Sequence, residues 1–211
     1  MQILITTTWA FPVPKSQTDL TGHFLERDFL QHLRLLRECT SLFVFADKSV
    51  DYKEGDIVFQ ISKSKQSPLI QYATKSFLSH CGIIVEKNNK FYVLEASNRV
   101  KLTDIDSWIN RGRFGLVVHC RVFNKPVKIK YAKYLGMPYD LSFKFNNNKM
   151  YCSELVYEIY KNQFGIELCK PRQVKSYRLF GIRSKLKQRG ISENQMVVAP
   201  CDLLDYPHYL L

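Results

Sequence analysis

Three side chains have the types and settings that nucleophilic catalysis needs: His80 in "SHCG", Glu95 in "LEA" and Cys152 in "YCSE". A carboxylate on one ring nitrogen of an imidazole fixes the tautomer and stabilises the imidazolium. Such a histidine can take a proton from a thiol and hand it to a leaving group. A thiol is a nucleophile when held as thiolate, and the first turn of a helix favours that form through its unpaired N–H groups and positive dipole end. Cys152 stands at the start of the most regular helical pattern in the chain. Together the three would perform acyl transfer through a thioacyl intermediate, with the Cys152 N–H helping to hold the oxyanion.

Whether His80 and Glu95 can meet depends on a hairpin. Residues 80–86 and 91–97 alternate as two strands around Asn88-Asn89. With an even loop, Lys87 lies opposite Lys90, Gly82 faces Glu95, and His80, Gly82 and Glu95 share one face. His80 and Glu95 are then diagonal neighbours, roughly 7–8 Å apart at the backbone, with a glycine between them that fills no space. An odd loop would set them on opposite faces. Taken alone, such a pair also fits a buried histidine satisfied by a backbone carbonyl, with Glu95 at an exposed strand end.

Of the six cysteines (39, 81, 120, 152, 169 and 201), Cys152 is the best nucleophile by position. Cys81 adjoins His80 but points to the other face. The six are scattered with no C-x-x-C pair, so neither a structural zinc site nor a disulfide framework is indicated. No metal and no cofactor is expected, and mostly reduced thiols fit a reducing compartment.

The elements that must position these residues read as follows. Gly55-Asp56 turns into a strand at 57–61. A short helix follows at 67–77, with Ser67 as cap and Pro68 in its first turn. After the hairpin come a helix at 103–110 capped by Thr103, a strand at 115–123 and a helix at 127–136 stopped by Gly136 and Pro138. The helix at 151–165 carries Leu155, Val156, Ile159, Tyr160 and Gln163 on one stripe and ends at Gly165. The final segment reads as a strand and a short helical tail. Before residue 54 the pattern is an extended lead-in at 12–20, an amphipathic helix at 20–39 and a short strand or buried turn at 41–46. Strands and helices mix without βαβ regularity, so the fold class is α+β. Two regions are expected: a helical extension at 1–53 and a domain at 54–211.

With 211 residues, 45% of them hydrophobic, the chain can bury one sizeable core. The formal charge of +12 is concentrated in "KPRQVKSYRLFGIRSKLKQRG" (170–190), which holds eight cations and no acid. That segment is either a solvated basic face or a surface for an anionic membrane or wall polymer. No nucleic-acid motif accompanies it. The apolar start has no preceding Lys or Arg and is broken by threonines and prolines, so it makes a poor signal peptide. No run reaches transmembrane length. A cytoplasmic location is the default reading, with the cell envelope open.

The strings "GDIVFQISKSKQSPLIQYATKSFLSHCGIIV", "FYVLEA", "GMPYDLSF", "YCSELVYEIY" and "VVAPCDLLDYP" resemble, in this order, the YiiX/YebB-like members of the NlpC/P60 superfamily. The resemblance spans roughly 54–207. It implies a circularly permuted papain-like fold in which the cysteine-bearing helix follows the strands. It also implies a triad in the order His, polar residue, Cys, which falls on His80, Glu95 and Cys152. Tyr139 in "PYD" matches a tyrosine near the site, as oxyanion aid or pocket wall, and Gln60 in "FQIS" is a further pocket candidate. The implied activity is cleavage of an amide in a peptide, amino-acid or lipid conjugate. Lipid acyl transfer or thioester hydrolysis by the same triad, and a non-catalytic ligand- or membrane-binding module, are the alternatives.

Overall fold

The computed structural model describes strand Ile3–Thr7 and residues 51–204. The segments expected at 12–20, 20–39 and 41–46, and the tail beyond Leu204, lie outside these residues. Six antiparallel strands form one sheet: β1 (Ile3–Thr7), β2 (Ile57–Ser62), β3 (His80–Lys87), β4 (Lys90–Ala96), β5 (Val100–Asp104) and β6 (Gly112–Cys120). Their spatial order is β1-β6-β2-β3-β4-β5. Helix α1 (Ser67–Thr74) lies between β2 and β3, α2 (Ile105–Arg111) between β5 and β6, and α3 (Cys152–Phe164) follows the sheet. A small ribbon of β7 (Arg172–Gln173) and β8 (Met196–Val197) encloses the short α4 (Arg183–Gln188) in sequence. Among the described residues no helix is long and apolar enough to cross a membrane.

The sheet is covered on both faces, and the alternation of β2 and β3 decides what goes where. Ile57, Phe59, Cys81, Ile83 and Val85 point to one face and pack with Leu155, Val156, Ile159 and Tyr160 of α3. Val58 and Ile84 point to the other and pack with Val93, Val117 and Trp108 of α2. The stripe on α3 is therefore the main core contact, and Gly165 closes that helix in the left-handed region at φ +69°. Gln163, read as part of the stripe, instead clamps the loop beneath it: Lys130 N–H donates to its Oε1 (2.9 Å) and its Nε2 donates to the Lys130 carbonyl (2.7 Å).

The structure corrects several local expectations. Residues 127–136 form no α-helix, only a single tight turn at Ala132–Tyr134. A side chain every third or fourth residue is apolar there, but Ile129 and Tyr134 are anchored in the core from irregular backbone. Thr103 is not a cap. It belongs to β5, and Asp104 caps α2 by accepting from Ser107 N–H at 3.1 Å. Ser67 lies inside α1 and its hydroxyl meets that of Ser79 at 2.5 Å. The strand expected at 115–123 begins three residues earlier, at Gly112, and the closing strand shrinks to Met196–Val197. The apolar start of the chain supplies β1, an edge strand pairing Ile3 with Cys120 and Thr7 with Leu116.

Candidate active site

The hairpin has the even loop. Lys87 pairs with Lys90, Ile83 with Leu94, and Asn88 and Asn89 both take positive φ (53° and 56°), the turn geometry that suits right-twisted strands. One step further, Gly82 lies against Glu95. A Cβ on Gly82 would fall 2.4 Å from Val93 Cγ1 and 2.8 Å from the Leu94 carbonyl oxygen, so only glycine lets the strands close here. Across that gap His80 Nε2 and Glu95 Oε2 meet at 2.5 Å.

Glu95 is wholly buried and still ionised, because four donors surround it. Besides His80, Thr103 Oγ1 donates to Oε1 (2.6 Å), and Trp108 Nε1 (3.2 Å) and an Arg111 guanidinium nitrogen (2.5 Å) donate to Oε2. Burial alone would raise its pKa. The hydrogen bond and charge of His80, then Thr103 and Arg111, outweigh burial and hold the carboxyl at about 2. Trp108, itself wholly buried, also stands beside the imidazole, ring centres 6.1 Å apart.

Glu95 occupies Nε2 of His80, which leaves Nδ1 as the ring nitrogen available to Cys152, the other group that acts on the ring. Cys152 is the first residue of α3 and nearly closed off from solvent, with Glu154 reaching back to accept the Tyr151 N–H at 3.3 Å. Its thiol is held well below its ordinary pKa. The Cys81 thiol, donating to it, contributes most; burial opposes; the hydrogen bond and charge of His80 and the Cys81 backbone N–H add to the lowering. For His80, burial favours the neutral ring, but the bond and charge of Cys152, then those of Glu95, push its pKa up to about 9. These opposite shifts favour the thiolate–imidazolium form of the pair.

Cys81 is the residue that sequence reasoning undervalued. It does point away from the His80 face, but that opposite face is the one on which α3 packs, so its thiol and N–H reach Cys152. Arg111, Trp108 and Thr103 were also missed. Their signal was indirect: a carboxylate buried in a hairpin needs donors from whatever element follows, and β5 and α2 follow. Tyr139 lies half-buried near Cys152 and Cys81, its phenol raised well above the ordinary range by burial and then by Cys152. Gln60 pairs with His80 across β2 and β3 and is buried, with Oε1 unpartnered and turned toward Gly112.

A second histidine–carboxylate pair, His119 Nε2 to Asp56 Oδ2 at 2.6 Å, sits at the other end of β2. Arg121 binds both oxygens of Asp56 (3.0 and 2.9 Å), and His119 Nδ1 has no hydrogen-bond partner. This pair ties the start of β2 to β6.

Beside Cys152 opens a cavity of about 90 Å³ with almost wholly apolar walls. Leu69 and Ala73 of α1 form one side, Leu179, Leu186 and Ile191 another, and Tyr151 the floor next to the cysteine.

Residues 51–211 match the family described as permuted papain-like amidase enzyme, YaeF/YiiX, C92 family. The uncharacterized protein YiiX of Escherichia coli K12 is 38% identical over 165 residues, which cover 72% of this chain and 82% of that protein. A crystal structure described as metalloprotein yiiX from Escherichia coli O157:H7 superposes with a TM-score of 0.69 at 36% identity, covering 75% of this chain and 94% of that one. The chain therefore belongs to the YaeF/YiiX family of permuted papain-like amidases.

Proposed function

We propose that this protein is a cysteine amidase that cleaves an amide bearing an apolar acyl group, through Cys152, His80 and Glu95 and a thioacyl intermediate. The observation that carries the reading is the run Cys152–His80–Glu95, whose cysteine also lines an apolar cavity. The cavity is smaller than the ~150 Å³ that accepts a benzene ring. It suits a short aliphatic acyl group, or the first carbons of a longer chain.

In this mechanism the Cys152 thiolate attacks the amide carbonyl carbon. First-turn N–H groups of α3 face the oxygen that becomes negative. The tetrahedral adduct collapses as His80 gives its Nδ1 proton to the departing amine, leaving the acyl group on Sγ. Neutral His80 then takes a proton from water, whose oxygen displaces Sγ and releases the carboxylic acid. Glu95 keeps the ring oriented throughout and stabilises its charged form. A metal ion does not fit here: His80 and Glu95 spend their facing atoms on each other, and among the described residues no three His, Cys, Asp or Glu side chains are grouped to hold one. No step runs through a metal.

The same cavity would equally hold an acyl group for transfer to an acceptor other than water, and the product distinguishes the two. Rapid quenching with N-acyl amino acids of graded chain length, read by intact mass, tests the reading. The expected result is a transient acyl adduct on Cys152, absent in Cys152→Ala and strongest for apolar acyl groups. Turnover surviving in Cys152→Ala, or indifference to the acyl group, would contradict it.

A further inference from the structure

The segment that walls the cavity on its inner side has an unusual outer side. Leu179, Ile182, Leu186 and Ile191 are all buried in one cluster with Val174 and Val197. Between Leu179 and Ile182 the chain turns through Gly181 at φ +74°, a left-handed conformation that glycine adopts without strain. That turn pushes Phe180 outward, 79% exposed, the most exposed large apolar side chain among the described residues. Its neighbours pin it there. Because Ile182 and Leu186 face inward, Arg183, Lys185 and Lys187 of α4 face solvent alongside it.

The charge around this phenyl ring is one-sided. Arg183 is paired with Glu193 at 2.9 Å, and Arg178 lies over the Tyr72 ring at 4.4 Å. Among the described residues no carboxylate pairs with Arg178, Lys185 or Lys187. A second copy of the chain would bring the same cations and be repelled. A soluble polyanion would satisfy the cations but has no use for an exposed phenyl group. A bilayer with acidic headgroups uses both: cations sit at the anionic surface while an aromatic ring enters the acyl boundary.

We propose that the turn at Phe180, with Arg178, Lys185 and Lys187, is a docking surface for an anionic lipid bilayer. Leu179 and Leu186, which flank these residues in sequence, line the apolar cavity, so docking there brings the cavity wall to the membrane that would supply an acyl substrate. That purpose rests on the amidase reading; the docking itself needs no catalytic residue.

The test is sedimentation of the full chain with phosphatidylcholine vesicles, either neutral or carrying about one-third phosphatidylglycerol. The expected result is binding to the anionic vesicles only, weakened by salt. Phe180→Ser should lower the partition about ten-fold. Lys185→Glu with Lys187→Glu should lower it about 25-fold or more. Thermal melts like the parent's show that these exposed substitutions leave the fold intact, and Cys152→Ala should bind as the parent does, which separates docking from catalysis. Two results overturn the proposal: no preference for anionic vesicles, or Phe180→Ser binding as well as the parent while polyglutamate competes fully, which marks a polymer-binding face.

Discussion

Glu95 shows how a buried charge is made tolerable. Removing one partner from such a carboxylate is costly, since the rest stays buried and underpaired. Four donors keep it ionised, and it in turn keeps His80 charged. Its folded pKa of about 2 lies below the ordinary 4.5, so its stabilisation is complete above pH 4.5 and is lost as pH falls toward 2. That window carries roughly 3 kcal/mol. Glu95→Gln should flatten this acid slope in urea unfolding series and lower turnover by roughly 10²–10⁴-fold. A variant with the parent's acid slope would mean the charge is paired elsewhere. Cys81→Ala tests the neighbouring thiol. It removes the S–H that contributes most to the Cys152 thiolate, so the acid limb of alkylation at Cys152 should move to higher pH; an unmoved limb would assign the lowering to His80 alone.

At the scale of elements, the hairpin does the positioning. Gly82→Ala puts a methyl against a backbone carbonyl that cannot yield, and should destabilise the fold by roughly 1–3 kcal/mol while slowing Cys152 alkylation by parting His80 from Glu95. A parent-like melting temperature would show that the strands need not close there. The hairpin was legible in the sequence because a period-two pattern with Asn-Asn at its tip admits few registers. Helix α3 was legible for the same kind of reason, a long stripe with a glycine stop. β5 and α2 were not. "VKLTDIDSWIN" carries Thr103 and Asp104 side by side, both cap-forming types, and local chemistry cannot say which one ends a strand and which begins a helix. Residues 127–136 failed for the opposite reason, since apolar spacing that mimics a helix there reflects separate anchors into one core.

The molecule as a whole brings two distant parts of one chain to a single point. The sheet carries His80 and Glu95 on the face toward α2, and α3, arriving after the sheet, sets Cys152 on the other side of the same strand end. Cys81 shares that strand end with His80 but faces α3, so a site assembled from both sides of β3 could be named by residue type and sequence position, while the thiol that assists it could not. The charge pattern belongs to this scale too: +12 overall, gathered where the cavity wall meets solvent. The central claim is that Cys152 is a thiolate, held so by the Cys81 thiol and by the charge and hydrogen bond of His80. Iodoacetamide alkylation followed by peptide mass spectrometry, run from pH 5 to 10, measures this directly. The account predicts that Cys152 reacts well below the pH at which an ordinary thiol does, ahead of every other cysteine, and that His80→Ala shifts its profile up toward that of a free thiol. Equal labelling of the exposed thiols and Cys152 across that range, unchanged in His80→Ala, would contradict it.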